Sequence, residues 1–355
     1  MKLLREVTDL QNFIRKLASG KDLTKKEAFI CMEAMISGEA TPIQMASILS
    51  LLTLKGEKED EITGFAKSMR RACKSVNFSH LKVVDTCGTG GDKFKTFNVS
   101  TAAAIIAAAA GVPVAKHGNR AVTSSCGGAD ILEAAGIKIE LSSKEVLESM
   151  EKVGISFMFA PNFHPATWNV MPVRNELGIR TVFNLLGPLT SPAKAPIQLI
   201  GVFDPYYVDL IARVLNNMGI EKAMVVHGYD SHGNPAMDEI SNIGPTLVAL
   251  VENGEISIQK LNPEDFGVEK SQPELIKSPE TIEDNLNIFL SVLAGEEDSI
   301  KKKARLELVL ANAGAIIFLA GKSNSLEEGT KIARKTVISK KAMKKLEEFR
   351  QIFAK

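Results

Sequence analysis

The chain has 355 residues, and its 43 lysines and arginines nearly balance its 42 aspartates and glutamates. Hydrophobic residues make up 45% and charged residues 24% of the chain, which is typical of a soluble globular protein and argues against a disordered, collagen-like or coiled-coil chain. A net charge of +1 gives no support to a polybasic nucleic-acid binder, so we expect no nucleic-acid partner. The length predicts a large α/β unit with a smaller one beside it.

The first residues are predicted to form a small helical domain. Capping boxes, which satisfy the free N–H groups of a first helical turn, mark two helix starts, at Thr24 with Glu27 and at Thr41 with Gln44. A third amphipathic helix is expected over 59–73. Helix-like residues within about 165–190 could pack back onto this unit. We therefore predict a helical domain of residues 1–75, joined by helices within about 165–190, and an α/β domain of residues 76–355.

From Leu81 onward, short β-branched runs alternate with helical stretches, which predicts a mostly parallel sheet flanked by helices. Strands are expected at 82–85, 112–115, 155–159, 198–203 and 222–227. Intervening helices are expected at 100–110, 129–135, from 142, and at 207–218. Asn253-Gly254 between two alternating runs predicts a tight hairpin, and helices follow from Thr281 to the end.

The cysteines and the N-terminus suggest a cytoplasmic protein. The cysteines at 31, 73, 87 and 126 are far apart and form no C-x-x-C pair, which favours reduced thiols. The stretch from Met1 to Leu17 contains acidic residues and lacks an apolar core, so we predict no signal peptide. The uncharged run 97–115 contains polar residues, glycine and proline, which favours a packed core helix over a membrane span. We expect no membrane partner.

Two glycine-containing loops follow predicted strands. The first, Asp85–Asp92, has the sequence DTCGTGGD, and the second begins as KHGNR at Lys116. Glycines before a helix start allow N–H groups to approach an anion closely, although a simple strand–helix turn would also use them. The segment 86–129 carries one acid, Asp92, and four cations, Lys93, Lys95, Lys116 and Arg120. Because ligands bind at such strand ends, this imbalance favours a phosphorylated substrate.

Six motifs in one order resemble the anthranilate phosphoribosyltransferase family. They are CGTGGDKFKTFNVSTAAA from Cys87, AKHGNR from Ala115, FMFAPNFHPA from Phe157, PVRNELGIRTVFNLLGPLTSPA from Pro172, QLIGVFDP from Gln198 and MDEIS from Met237. The resemblance implies transfer of the phosphoribosyl group of 5-phosphoribosyl-1-diphosphate to anthranilate, a step of tryptophan biosynthesis that uses Mg²⁺. It also implies a helical domain, an α/β domain and a homodimer through the helical domain.

The resemblance further implies roles for individual residues. Positions that match the phosphoribosyl diphosphate site are Gly88, Gly91, Asp92, Thr96, Asn98, Val99, Ser100, Thr101, Lys116, Ser124 and Gly128. Those that match the anthranilate site are Gly88, Asn119 and Arg174, and the catalytic set is Lys116, Asn119 and Arg174. The Mg²⁺ ligands are Ser100, Asp238 and Glu239, whose hard oxygen atoms suit that ion.

Some features depart from the family or favour other interpretations. Tyr229–Met237 looks like an insertion before the acidic pair, and SCGG from Ser125 stands where the family often has KSGS. His227 and His232 could suggest a metal site, but no further ligand has suitable spacing. Without the resemblance, Asp238-Glu239 would be interpreted as an exposed turn and Arg174 as half of a surface ion pair with Glu176.

Two alternative functions share the fold. The first is a pyrimidine nucleoside phosphorylase, which lacks the KHGNR and PVRNELGIRT motifs. The second is a non-enzymatic relative that binds nucleic acid, which predicts a basic groove and a dispensable acidic pair.

Overall fold

The computed structural model describes residues 10–78, 80–91, 94–121 and 126–354. Its helices comprise a first group before the sheet, α1 Leu10–Ala18, α2 Lys25–Ser37, α3 Pro42–Lys55 and α4 Glu59–Ala72. Further helices alternate with strands: α5 Val99–Ala109, α6 Gly128–Ala134, α7 Ser143–Val153, α8 Ala160–Phe163, α9 Met171–Leu177, α10 Phe183–Leu189 and α11 Tyr206–Asn217. The last group is α12 Pro273–Ile276, α13 Ile282–Ala294, α14 Ile300–Leu319, α15 Leu326–Ile338 and α16 Lys341–Gln351, and 3₁₀ turns lie at Pro165–Asn169 and Pro263–Phe266.

An eight-stranded sheet forms the centre of the molecule. Its strands are β1 Val84–Gly88, β2 Val114–Gly118, β3 Ile155–Phe159, β4 Ile197–Gly201, β5 Lys222–Tyr229, β6 Pro235–Met237, β7 Thr246–Glu252 and β8 Glu255–Leu261. The order is β3-β2-β1-β4-β5-β7-β8, with β6 also paired to β5. The first five strands are parallel, whereas β6, β7 and β8 join antiparallel. The predicted mostly parallel sheet and the hairpin at Asn253-Gly254 are confirmed.

The strand order reverses between β1 and β4, and this reversal places the site. From β1 the chain continues outward through β2 and β3, then returns to add β4 and β5 on the other side of β1. Connections that leave the sheet in opposite directions open a crevice at the carboxyl ends of the two central strands. Gly88 at the end of β1 is directly paired with Gly201 at the end of β4.

Two predicted strands ended too early. We expected strands at 82–85 and 112–115, but β1 continues to Gly88 and β2 continues to Gly118. Pairing of β1 with β4 and of β2 with β3 extends through these residues. Because ladder hydrogen bonds from parallel neighbours outweigh the weak strand propensity of glycine, the glycine and lysine residues at these ends belong to the sheet.

The helical group before the sheet starts and stops where the capping pattern predicts. Both capping boxes form, at Thr24 with Glu27 and at Thr41 with Gln44, and Gly38 ends α2 with a φ of 83°. At the centre of this group, the fully buried Glu61 accepts hydrogen bonds from the backbone N–H groups of residues 23 and 58 and from Lys55. A buried carboxylate is tolerated because each of these donors compensates for its lost hydration.

Residues 165–189 pack against these N-terminal helices. The Asn169 side chain donates a hydrogen bond of 2.7 Å to the carbonyl oxygen of Ile36 at the end of α2. Val173 and Phe183 share a buried apolar cluster with Leu49 of α3. These contacts agree with a helical unit assembled from two parts of the chain. The exact domain boundaries at residues 75 and 165–190 remain a prediction.

The alanine-rich α5 is a buried core helix of 11 residues. Its side chains pack in one apolar cluster with those of α14, where small residues allow the helices to approach closely. In the described part of the chain, no helix is both long enough and apolar enough to cross a bilayer.

Candidate active site

A buried lysine on β2 contacts β1 and the start of α5. Lys116 on β2 is only 4% exposed, and its Nζ donates hydrogen bonds to the carbonyl oxygen of Thr86 at 2.6 Å and to Ser100 Oγ at 3.3 Å. Among the residues that the structure describes, no carboxylate forms an ion pair with this ammonium group. The buried Asp85 carboxyl attracts Lys116 electrostatically but forms no ion pair with it. Burying a charge without a directly paired counterion is costly, so this site is suited to an anionic ligand.

The start of α6 lies directly against this lysine. A Cβ atom added to Gly128 would lie 3.2 Å from Thr101 Oγ1 and 3.8 Å from Lys116 Cε. The missing side chain therefore lets the second loop approach α5 closely. The structure thus brings Ser100, Thr101, Lys116 and Gly128 together, as the resemblance implies.

Asn98, which precedes α5, connects the start of this helix to the second loop. Its Nδ2 donates a hydrogen bond of 3.0 Å to the carbonyl oxygen of Cys126, and its Oδ1 is buried without a hydrogen-bond partner in the described structure. Val99 begins α5 and is fully buried, and Thr96 pairs in an isolated bridge with Lys277. The orphaned Oδ1 is an acceptor that a ligand N–H or hydroxyl group could satisfy.

The acidic pair lies beside the first glycine loop although it is far away in sequence. Asp238 is 7% exposed, and its Oδ2 accepts a hydrogen bond of 2.8 Å from the N–H of Gly90, 148 positions earlier. Burial raises the pKa of the Asp238 carboxyl, against the opposing effect of the Gly90 hydrogen bond. Glu239 is half-buried next to it. The alternative of an exposed turn is therefore wrong for Asp238.

The two paired glycines at the strand ends make room for Asp238. A Cβ atom on Gly201 would lie 1.6 Å from the Asp238 carbonyl oxygen, and one on Gly88 would lie 2.3 Å from its Oδ2. Both distances are far below van der Waals contact, so any side chain at either position would displace the acidic residue.

The insertion before the acidic pair is an ordered hairpin. β6 pairs antiparallel with β5, and the carboxylate of Asp230 accepts hydrogen bonds from the N–H groups of His232 and Asn234 in the turn. The carbonyl oxygen of Ala236 accepts a 3.2 Å hydrogen bond from the N–H of Phe94. The insertion thus touches the segment that follows the first glycine loop and leads directly into Asp238.

Arg174 is half-buried on α9 and carries no acidic partner within the described ranges. Its guanidinium carbon lies 5.0 Å from the centre of the Phe183 ring, and Nη1 lies 3.5 Å from Met171 Sδ. Burial lowers the pKa of this guanidinium. The expected alternative, a surface ion pair with Glu176, is absent there, which leaves the planar fork available to a carboxylate ligand.

The positions of the other predicted residues give less support to their expected roles. Asn119 is exposed, and its carbonyl oxygen accepts a 3.1 Å hydrogen bond from the N–H of Ala129. Gly91 ends the described part of the first loop, and Asp92 and Ser124 lie outside the described residues. Arg120, one of the cations that suggested a phosphorylated substrate, instead pairs with Asp130 at 3.0 Å and Glu133 at 2.7 Å, so its charge is already compensated.

Two buried histidines lie next to each other, a pairing that the sequence did not predict. The rings of His117 and His164 lie 5.2 Å apart, and burial lowers the pKa of His117 to about 3 and that of His164 to about 4. The backbone N–H of His117 donates a 3.0 Å hydrogen bond to the Asp85 carboxylate, and burial raises the pKa of that carboxyl to about 6. Side chains alternate between the two faces of a strand, so His117 lies on the face opposite Lys116. Had the predicted strand extended to Gly118, the sequence would have indicated that His117 is buried on that face.

His227 and His232, the two histidines that could suggest a metal site, lie in different surroundings. His227 is buried with Nδ1 2.7 Å from the carbonyl oxygen of Val202, whereas His232 is exposed in the hairpin turn. Within the described chain, no three His, Cys, Asp or Glu residues are grouped so that they could hold a metal ion by themselves.

The chain matches both domains of a known family of enzymes. Residues 11–73 match the helical bundle domain of the glycosyl transferase family, and residues 80–343 match its a/b domain. The chain is thus a glycosyl transferase of the two-domain class that its helical group and mostly parallel sheet define. It is 57% identical over 330 residues to the anthranilate phosphoribosyltransferase of Methanothermobacter marburgensis, covering 93% of this chain and 94% of that one.

Solved structures give the same result. The anthranilate phosphoribosyltransferase of Thermus thermophilus superposes with a TM-score of 0.86 at 39% identity, covering 95% of this chain and 98% of that one. The Saccharomyces cerevisiae enzyme in complex with PRPP and Mg superposes with a TM-score of 0.85 at 26% identity, covering 97% and 98%. The chain belongs to the anthranilate phosphoribosyltransferase family.

Burial of His164 is expected to lower the free energy of unfolding in acid. Below pH 6.5 the unfolded chain protonates His164, whereas the folded chain does so only near pH 4, so stability falls as the pH falls through this window. We expect His164→Gln to reduce the difference in unfolding free energy between pH 7.5 and pH 5 by about 2 kcal/mol. Urea denaturation at both pH values measures this, with the exposed His232→Gln as control. An unchanged pH dependence in His164→Gln would show that burial of this imidazole is unimportant.

Proposed function

We propose that the protein transfers the phosphoribosyl group of 5-phosphoribosyl-1-diphosphate to the amine of anthranilate, giving N-(5-phosphoribosyl)anthranilate and diphosphate in tryptophan biosynthesis. The observation that carries this proposal is the buried ammonium group of Lys116, which lacks a carboxylate partner in the described structure. It lies at the strand ends where parallel α/β sheets bind ligands. Family membership supports the diphosphate-bearing donor as this anion.

We assign the donor to the two glycine loops and the start of α5. Ser100 and Thr101 supply hydroxyl groups beside Lys116, and the α5 N-terminus supplies N–H groups and a favourable dipole for phosphate. We also assign Gly88, Gly91, Thr96, Asn98, Val99 and Gly128 to the donor, and Asp92 and Ser124 are assigned to it from the resemblance alone. These groups favour negative charge, so they would stabilise the diphosphate most as it departs.

We assign the acceptor to Arg174, Asn119 and the edge of the first loop at Gly88. The Arg174 guanidinium offers two parallel N–H donors to the anthranilate carboxylate. The aromatic amine is neutral at pH 7, so its lone pair is free to attack C1 of the ribose before any proton is removed from the nitrogen. Orientation of this amine toward C1 of the ribose supplies a large part of the rate increase, because the transition state resembles an oxocarbenium ion and needs the nucleophile in place.

The residues present fit a magnesium ion. Asp238, Glu239 and Ser100 offer hard oxygen atoms, and the described chain contains too few clustered acids to hold a metal alone. Mg²⁺ prefers such incomplete protein sites, because substrate oxygens and water complete its coordination. When bound, the ion would neutralise charge on the departing diphosphate.

We further propose a cytoplasmic homodimer that forms through the helical domain. Ile43 and Leu54 are 80% and 86% exposed on α3. They are about three helical turns apart and so share one face, which is an apolar surface suited to a second copy. Light scattering should give twice the monomer mass of 38.4 kDa, and a monomeric mass would contradict the dimer.

The direct test of the activity follows the fluorescence of anthranilate in the presence of the donor and Mg²⁺. We expect loss of fluorescence that depends on all three components. No turnover under these conditions, together with phosphorolysis of thymidine or uridine, would favour the nucleoside phosphorylase instead. A steeply salt-dependent affinity for DNA would favour the nucleic-acid-binding alternative.

Arg174→Ala should mainly raise the KM for anthranilate. Loss of a charge-assisted pair of hydrogen bonds, about 1.5–3 kcal/mol, corresponds to at least a roughly tenfold increase. Steady-state kinetics with each substrate varied in turn measures the effect. Arg213→Ala, which removes an exposed arginine paired with Asp209 on α11, is the matched control. An anthranilate KM equal to that of the control would refute the assignment.

Replacing Asp238 with Asn and Glu239 with Gln together should raise the Mg²⁺ concentration needed for half-maximal turnover. Neutral amides keep the size of the side chains but lose the charge that attracts the ion. Titration of activity with Mg²⁺ measures the shift. The exposed adjacent pair Glu297→Gln with Asp298→Asn serves as control. Full activity of the first variant at limiting Mg²⁺ would count against the acidic pair as metal ligands.

A further inference from the structure

Arg180 connects the acceptor side of the site to the first glycine loop. It follows Gly178, which ends α9 with a φ of 61°, so Arg174 and Arg180 lie on one short segment. The Arg180 side chain is exposed, and its Nη2 donates a close hydrogen bond to the carbonyl oxygen of Gly91. None of the sequence motifs assigned a role to this residue.

The backbone and the guanidinium of Arg180 are both held in place. The carbonyl oxygen of Arg180 accepts a 3.3 Å hydrogen bond from Thr53 Oγ1 on α3. The guanidinium carbon lies 4.4 Å from the centre of the Phe203 ring, within the range of a cation–π contact. The N–H of Phe203 donates a 2.9 Å hydrogen bond to Thr89 Oγ1. Arg180 therefore joins the N-terminal helices to Gly91 of the glycine loop, and Phe203, on whose ring it lies, bonds to Thr89 of the same loop.

The glycine loop has little conformational preference of its own. Gly90 and Gly91 have positive φ values of 66° and 77°, and glycine adopts many conformations at similar free energy. Contacts to these two neighbouring glycines hold the loop: Asp238 accepts a hydrogen bond from the N–H of Gly90, and Arg180 donates one to the carbonyl oxygen of Gly91. A Cβ atom on Gly91 would lie 3.1 Å from Arg180 Nη2, so the guanidinium packs directly against this glycine.

The positive charge of Arg180 also favours an anionic ligand at the glycine loop. No carboxylate in the described part of the chain forms an ion pair with its guanidinium, which instead bonds to a neutral carbonyl and lies over an aromatic ring. The positive charge beside the loop therefore adds to that of Lys116, while the hydrogen bond itself fixes the main chain.

We propose that Arg180 is a positioning residue that orders the first glycine loop for the donor's diphosphate and links it to the segment carrying Arg174. This proposal rests on the assignment of that loop to the donor under the proposed function. Since the guanidinium bonds to the main chain of the loop, it acts before the donor binds. Loss of Arg180 should weaken donor binding by loosening the loop, with Arg174 and the anthranilate site left in place.

The test compares wild type, Arg180→Ala, Arg180→Lys and the control Arg213→Ala. Steady-state kinetics gives the KM for each substrate, and hydrogen–deuterium exchange of the protein without substrates reports the order of residues 84–98. For Arg180→Ala we expect the KM for phosphoribosyl diphosphate to rise about tenfold, with a much smaller change for anthranilate. We also expect faster exchange in this peptide, because a hydrogen bond that orders the loop is lost. Arg180→Lys, which retains a charged donor, should recover part of both properties.

Two results would overturn the proposal. Unchanged exchange with a raised donor KM would show that Arg180 contacts the donor directly, and an unchanged donor KM would show that it has no role in donor binding. Melting temperatures of the variants identify any general loss of folding. If Arg180→Ala is destabilised, Arg180→Lys is compared with wild type in its place.

A further variant separates failure of this proposal from failure of the donor assignment. If Thr101→Val, beside Lys116, also leaves the donor KM unchanged, the donor site itself is wrong. If Thr101→Val raises the donor KM while Arg180→Ala does not, only the role of Arg180 is wrong.

Discussion

The rest of the site depends on one buried positive charge. Lys116 lies inside the sheet, bonded to a carbonyl oxygen and a hydroxyl group, without an ion-pair partner among the residues described. A stable fold tolerates this only because these two acceptors replace part of the lost hydration. An anion that enters the crevice supplies the missing counter-charge, so the free energy spent on burying the lysine in the fold is recovered in binding.

The acidic residues proposed as metal ligands are kept apart from this lysine by the sheet topology. The reversal of strand order between β1 and β4 brings Asp238 over the paired glycines Gly88 and Gly201. Its carboxylate is bonded to Gly90 and not to Lys116. A direct ion pair between them would have satisfied both groups and left no site. The near-zero net charge of the chain thus conceals two separated charges, one suited to phosphate and one to a metal ion.

Local signals in the sequence predicted the helices and turns well, but they could not predict contacts between residues that are distant in sequence. Capping boxes at Thr24 and Thr41 and the hairpin at Asn253-Gly254 depend on neighbouring residues and formed as expected. The ends of β1 and β2 depend on pairing with other strands and were placed too early. Likewise, pairing of Arg120 with Asp130 and Glu133, and of Arg180 with Gly91, arises only in the folded chain. The roles proposed for Asp238 and Arg174 rest on family resemblance, because isolated charged residues carry no functional signal of their own.

A crystal structure of the protein with phosphoribosyl diphosphate and Mg²⁺ tests the central claim most directly. The buried charge of Lys116 predicts a phosphate oxygen within hydrogen-bond distance of its Nζ, about 2.7–3.2 Å, with Asp238 and Glu239 on the metal side of the same ligand. A donor bound elsewhere, with Lys116 still bonded only to Thr86 and Ser100, would contradict the account.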